Sequence, residues 1–190
     1  LMTRERCSGE FERENKFSPD PLVADPVLHE DYTNNPYKMD RGHMAPAASM
    51  KWNETAMKES FYTSNICPQN NNLNKGNWKN LEEHIRSIAT KYNHIYIACG
   101  PIVSLTPKTI AHNTISVPDA FFKVILRQKD DSWSAIGFMM PNQAERKPLN
   151  KYAMSIDDIE IITDIDFFID LPDRIENEIE STYNLKDWDL

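Results

Sequence analysis

The chain has 190 residues, of which 40% are hydrophobic, 10% aromatic and 26% charged, with a formal net charge of −8. This is the composition of one globular domain with a real core, and it excludes a collagen-like, coiled-coil or wholly disordered chain. No apolar run reaches the ~18–20 residues of a membrane-spanning helix, so no membrane partner is expected.

The charge is unevenly spread. Residues 1–37 carry −4, residues 38–91 +3, residues 92–154 +3 and residues 155–190 −10. A polyanion can bind the basic middle while the acidic tail faces away.

Along the chain, residues 1–37 read as an irregular, extended path, with prolines at 19, 21, 26 and 36. Residues 51–60 suit a helical turn or two. FYTSNI (61–66) has the β-branched and aromatic content of a short strand. QNNNLNKGN (69–77) reads as a polar loop. Trp78, Leu81, Ile85, Ile88 and Tyr92 recur at steps of three and four, which predicts a helix over 77–92. Asn77 is its expected N-cap, and Glu82 and Arg86 form an i, i+4 pair.

HIYIACGPI (94–102) predicts a strand. AFFKVILRQ (120–128) and WSAIGFMMP (133–141) predict two antiparallel strands joined by a KDDS turn. LPDRIENEIES reads as helical after Pro172. No regular βαβ beat appears, so the expected class is α+β with a mixed, mostly antiparallel central sheet and helices. Cys7, Cys67 and Cys99 form no CxxC pair, and small buried hydrophobes are the expected reading, with one bridge from Cys7 left open.

Two polar constellations bear chemistry. The first is Asp40-Arg41-Gly42-His43. A histidine titrates near neutrality and can serve as a general base. Arginine can grip a phosphate in bidentate fashion, and Gly42 would let the backbone bend between the two. The second is Asn65, Gln69, Asn74 and Glu82, oxygen donors suited to a hard cation such as Mg²⁺. One straight helix would hold Asn74 and Glu82 roughly 12 Å apart, so facing one ion requires a bend, which Gly76 permits. Each of these residues also has an ordinary reading: a loop histidine, a surface ion pair, a turn or cap asparagine. His29, His84, His94 and His112 fit no ligand spacing and read as structural or surface groups.

DRGHMAPAASM followed by FYTSNICPQNNNLNKGNWKNLEEHI resembles the DNA/RNA non-specific endonuclease family, endonuclease G-like members of the ββα-metal (His-Me finger) nucleases. IYIACGPI, ISVPDAFFKVIL, the strand ending MMPN and TDIDFFIDLPDRIENEIES resemble family segments in the same order, over roughly residues 17–181.

The resemblance implies a single domain over 1–190 whose ββα-metal unit is a strand pair around 41–66 and the helix after it. It implies His43 as general base, Asn74 as ligand of Mg²⁺ (Mn²⁺ can substitute), and Glu82 holding metal-associated water. Arg41 would stand by the phosphate, Asp40 would give structural support, and Asn65 would help position the site. The implied activity is metal-dependent hydrolysis of DNA and RNA without sequence preference, leaving 5′-phosphates and failing below a histidine pKa of roughly 6–7.

It also implies an upstream strand with a phosphate-clamping arginine. LMTRE resembles the end of that strand, and none of Arg4, Arg6 and Arg13 aligns with that arginine. A catalytically silent binder of nucleic acid or protein is the alternative, and a phosphodiesterase of small nucleotides a third reading. A homodimer or an inhibitor protein are the further partner classes. The start at Leu1 reads as a processed segment with a signal peptide removed, and the expected location is secreted or periplasmic.

Overall fold

The computed structural model describes residues 1–33, 35–111, 115–129 and 132–190. His112 and the Asp130-Asp131 turn, both named above, lie outside the described residues.

A four-stranded antiparallel sheet forms the centre, in the order β3, β6, β7, β8. These strands are Ile95–Ile102, Ala120–Lys129, Ser132–Pro141 and Ala153–Met154. Two smaller antiparallel pairs flank it. One joins β1 (Asp40–His43) to β2 (Ile66–Gln69), and the other joins β4 (Lys108–Ile110) to β5 (Ile115–Val117). The helices are α1 (Glu54–Glu59), α2 (Asn71–Leu73), α3 (Lys79–Tyr92), α4 (Ile156–Thr163) and α5 (Asp173–Glu180). The α+β class expected from the sequence is the class observed.

Helices cover both faces of the sheet, which explains the near-continuous apolar run of β6. Phe121 and Ile125 point to one face and pack with Leu81, Ile85 and Ile88 of α3. Phe122, Val124 and Leu126 point to the other and pack with Ile156 and Ile159 of α4 and Ile179 of α5. Each such buried aliphatic side chain contributes about 1.5–3 kcal/mol.

Two cations are sealed into the α3 face. Lys123 is 2% exposed, sits 4.3 Å above the Trp78 ring and donates to the Met44 carbonyl. Arg127 is 4% exposed, lies over Tyr92 at 3.9 Å and reaches Asp187 at 3.8 Å. Both counted toward the basic middle of the chain, and neither is offered to a surface ligand.

The region around 61–78 departs from expectation. FYTSNI is not a strand: Thr63–Asn65 make a 3-10 turn, and the strand is Ile66–Gln69. It runs through Pro68, opposite Arg41, on a strand bonded to β1 alone; its other side takes the Asn142 side chain at the Pro68 carbonyl. The polar stretch is not a loop but the start of the long helix. Asn70 caps it by accepting from Asn72 N, and Leu73 is buried. Asn77 is not the N-cap. It is buried in a π-helical turn, Asn74–Trp78, and donates to the Lys147 carbonyl and the Tyr152 hydroxyl. Asparagine richness here reflects side chains with fixed partners rather than a solvated loop. The three cysteines are free, and burial pushes the Cys67 thiol up to about 12.

Candidate active site

β1 and β2 pair with Asp40 opposite Gln69 and His43 opposite Ile66, and the chain then turns directly into the helix. Gly42 lies on β1, and no described glycine has a positive φ. Its role is therefore not the bend expected from the sequence. A Cβ at Gly42 would run into the Gln69 side chain, which is fully buried directly against it. Glycine is required by close approach.

The bend falls instead at Gly76, whose φ of −110° and ψ of −112° break the helix between α2 and α3. Asn74 stands before this kink and Glu82 after it. Both line one pocket of about 720 Å³, together with Asp40, Arg41 and His43. Five of the six expected site residues thus converge. Asn65 does not join them. Its amide accepts from Ala45 N and donates to the Ala45 and Ser60 carbonyls, fixing the turn that follows His43.

The Asp40 carboxylate accepts from the side-chain amide of Asn74 at 3.0 Å and from Asn71, and Lys75 lies 3.8 Å away. With its N–H₂ held, Asn74 directs its carbonyl oxygen elsewhere. Glu82 is half-buried and makes no surface pair with Arg86. Burial lifts its carboxyl to about 7, against the pull of Lys123, Arg86 and Arg13. An amide oxygen and a carboxylate facing one pocket suit a hard cation.

His43 packs edge-on to Phe61 at 4.8 Å and against Phe17 at 5.6 Å. Its Nε2 is buried without a partner. Burial, and then the charge of Arg13, lower its pKa to about 4, well under the 6–7 expected for an ordinary histidine. The ring is neutral at pH 7. Arg41 stacks on Phe17 at 4.5 Å and meets the His29 ring nitrogen at 2.6 Å. His29 in turn stacks on Phe17. Its structural role is to brace Arg41.

Sequence reasoning missed Arg13, Lys75, Lys79 and Arg86 as pocket cations. Arg13 reaches the site through an irregular segment, its guanidinium 5.0 Å over the Phe61 ring. No periodicity marks such a residue. A cation four residues before Phe17, itself a partner of the DRGH histidine and arginine, was the one available signal.

The DNA/RNA non-specific endonuclease profile matches residues 3–174. The chain belongs to that family. It is 32% identical over 186 residues to the mitochondrial nuclease EXOG of Mus musculus, covering 88% of this chain and 50% of the relative. It is 33% identical over 175 residues to the mitochondrial endonuclease G of Homo sapiens, covering 82% and 57%. Nuclease C1 of Cunninghamella echinulata var. echinulata is 34% identical over 171 residues, covering 81% and 66%. The chain thus spans about half the length of the first two relatives.

The fold of this family member also matches a solved EndoG chain at a TM-score of 0.85 and 25% identity, over 92% of this chain and 78% of that one. That structure is described as the EndoG/EndoGI complex and the mechanism of EndoG inhibition. The expectation of a secreted or periplasmic protein is overturned, because nuclease EXOG, endonuclease G and nuclease 1 of Schizosaccharomyces pombe are all named mitochondrial. Keeping a non-specific nuclease from the genome demands a barrier, and an organelle membrane meets that demand as well as export. Among the described residues no helix is long and apolar enough to cross a membrane.

Proposed function

We propose that this chain hydrolyses phosphodiester bonds in DNA and RNA without sequence preference, with His43 as the general base. The observation that carries this reading is a neutral histidine facing the same pocket as an oriented amide oxygen, a carboxylate and several cations.

The nitrogen left to meet water is Nδ1, since Nε2 is buried in a ring that packs against Phe17 and Phe61. Nδ1 accepts a proton from water, which attacks phosphorus in line. Arg41 and Arg13 hold the phosphate against the base, Arg41 being preset by Phe17 and His29. The carbonyl oxygen of Asn74 would hold Mg²⁺, or Mn²⁺ in its place, and the carboxylate of Glu82 would hold its associated water. When bound, that ion supplies positive charge for the phosphate and the leaving 3′ oxygen. The 5′-phosphate stays on the product.

Lys75 and Lys79, with side chains 69% and 60% exposed, open the pocket to solvent on one side. An open basic rim suits a polymer backbone better than a small enclosed nucleotide. The same rim offers an inhibitor protein a surface to block.

Cleavage of circular plasmid and of RNA, with Mg²⁺ and with EDTA, tests this beside His43→Ala. Cleavage of both substrates is expected to vanish with EDTA and with the variant, while the variant still binds. A well-folded protein that binds but never cleaves would establish the silent binder instead.

A further inference from the structure

The acidic tail gathers at one place on the sheet face opposite the pocket. α4 and α5 pack there through Ile156, Ile159 and Ile179 onto Phe122, Val124 and Leu126. Asp157 and Glu160, three residues apart, share one side of α4. Glu176 and Glu180, four apart, share one side of α5. The two helices meet, and one carboxylate oxygen each from Asp157, Glu160 and Glu180 lies within 4.8 Å of the others.

Crowding alone is common on acidic surfaces. Glu180 is what sets this cluster apart. It is 4% exposed, and its Oε1 is buried without any hydrogen-bond partner. Oε1 of Glu176 is in the same condition. One oxygen of Glu160 accepts the backbone N–H of Phe167 at 2.7 Å, and the other is left over. Among the described residues no lysine or arginine forms an ion pair with any of these four. The charged groups that act on Glu180 are Glu160, Glu176, Asp157 and Asp166, all acids. A buried carboxylate among carboxylates is tolerated only if a proton or a cation joins it.

The spacing fits a cation. Oxygens on opposite sides of one Ca²⁺ stand about 5 Å apart, given ligand distances of ~2.3–2.6 Å. Mg²⁺ demands a tighter octahedron and keeps most of its waters, so it suits three crowded carboxylates less well.

We propose that Asp157, Glu160 and Glu180, with Glu176 beside them, form a site for one calcium ion between α4 and α5, on the sheet face away from the nuclease pocket. The ion would join the two helices that cover this face. It takes no part in phosphodiester chemistry, so the site stands or falls independently of the nuclease reading.

The test uses the whole chain carrying Asn74→Ala, which disables the pocket's own amide ligand. The protein is stripped with EDTA, and CaCl₂ is titrated by calorimetry and by thermal unfolding. One Ca²⁺ per chain is expected, with a Tm that rises with its concentration. Glu180→Gln, added to that background, is expected to weaken binding by roughly tenfold or more, as loss of a metal-site partner typically does. It should also raise Tm in EDTA, because it removes a buried like-charge contact. Asp157→Asn, at a position that is not buried, provides a second variant less prone to disturb folding. Absence of binding up to millimolar CaCl₂, or equal binding in the parent and both variants, would overturn the proposal and leave a shared proton as what the cluster holds.

Discussion

Asp40 and Asn74 lie 34 residues apart in the chain and are joined by one hydrogen bond of 3.0 Å, from the asparagine amide to the aspartate carboxylate. That bond occupies the nitrogen end of Asn74 and leaves its carbonyl oxygen free for another partner. The neutral amide would otherwise be free to present either nitrogen or oxygen, and only oxygen binds a cation.

Asp40→Ala is therefore expected to weaken metal use by about 10–100-fold, the usual cost of losing a group that orients a ligand. The check is the Mg²⁺ concentration needed for half-maximal cleavage. It should rise sharply in Asp40→Ala while the fold, followed by circular dichroism, stays intact.

The pH behaviour follows from His43. Its pKa in the folded chain is about 4, against about 6.5 unfolded. The base form thus persists well below the range where an ordinary histidine is charged. NMR titration of the metal-free protein should show the His43 ring protonating near 4. For stability, the unfolded state binds more protons between these two values. His43 thus destabilises the fold as pH drops through that window, by roughly 3 kcal/mol at its end. Glu82, raised to about 7, acts in the opposite sense. The folded state binds its proton more tightly, so its contribution is lost as pH rises through about 4.5–7. Measured without metal and relative to the parent, Glu82→Gln should lose more Tm, or gain less, on acidification across this interval, because it removes one of the slopes that oppose that of His43.

Gly42→Ala is expected to destabilise the β1–β2 pair by about 1–3 kcal/mol through overpacking against Gln69. Thermal or urea unfolding measures it. Adding Gln69→Ala should recover only part of the loss, since it removes Oε1 and Cδ from the clash but keeps the Cβ that would stand 2.7 Å from the new methyl.

Arg13→Gln removes one phosphate contact from the proposed complex. Binding to duplex DNA, measured in EDTA across a salt series, should lose about one unit of slope in log K against log salt. The same substitution should raise the His43 pKa, because the Arg13 charge is one of the two causes of its depression. A control at Arg4, which is tied to the Thr90 carbonyl, should change neither.

Periodicity and motif spacing carried a good deal of this architecture. The apolar steps of three and four marked α3, and the two long apolar runs marked β6 and β7. DRGH and the downstream asparagine and glutamate named five residues that share one pocket. The failures have a common physical cause. Asn70, Asn71, Asn74 and Asn77 look like loop residues in composition, yet each side chain has a fixed partner within a helix start. Asn65, an oxygen donor by composition and a positioning residue by resemblance, holds the Ala45 backbone just past His43. Asn70 is a local cap, but tertiary hydrogen bonds set the roles of the others, and nothing local announces them. Arg13 and His29 enter the site from an irregular segment, where no repeat betrays which way a side chain turns.

The sealed Lys123 has a consequence for any attempt to miniaturise the catalytic unit. Its ammonium, and the Cys99 thiol beside it, both donate to the Met44 carbonyl, one residue past His43. The strand pair and helix that hold the base, the amide and the carboxylate are thereby moored to the middle of the large sheet. A peptide of residues 40–92 would retain Arg41, His43, Asn74 and Glu82 and lack both Arg13 and the mooring that holds the histidine in register with the helix. Most of the proposed site is contiguous in the chain, but its geometry belongs to the whole fold.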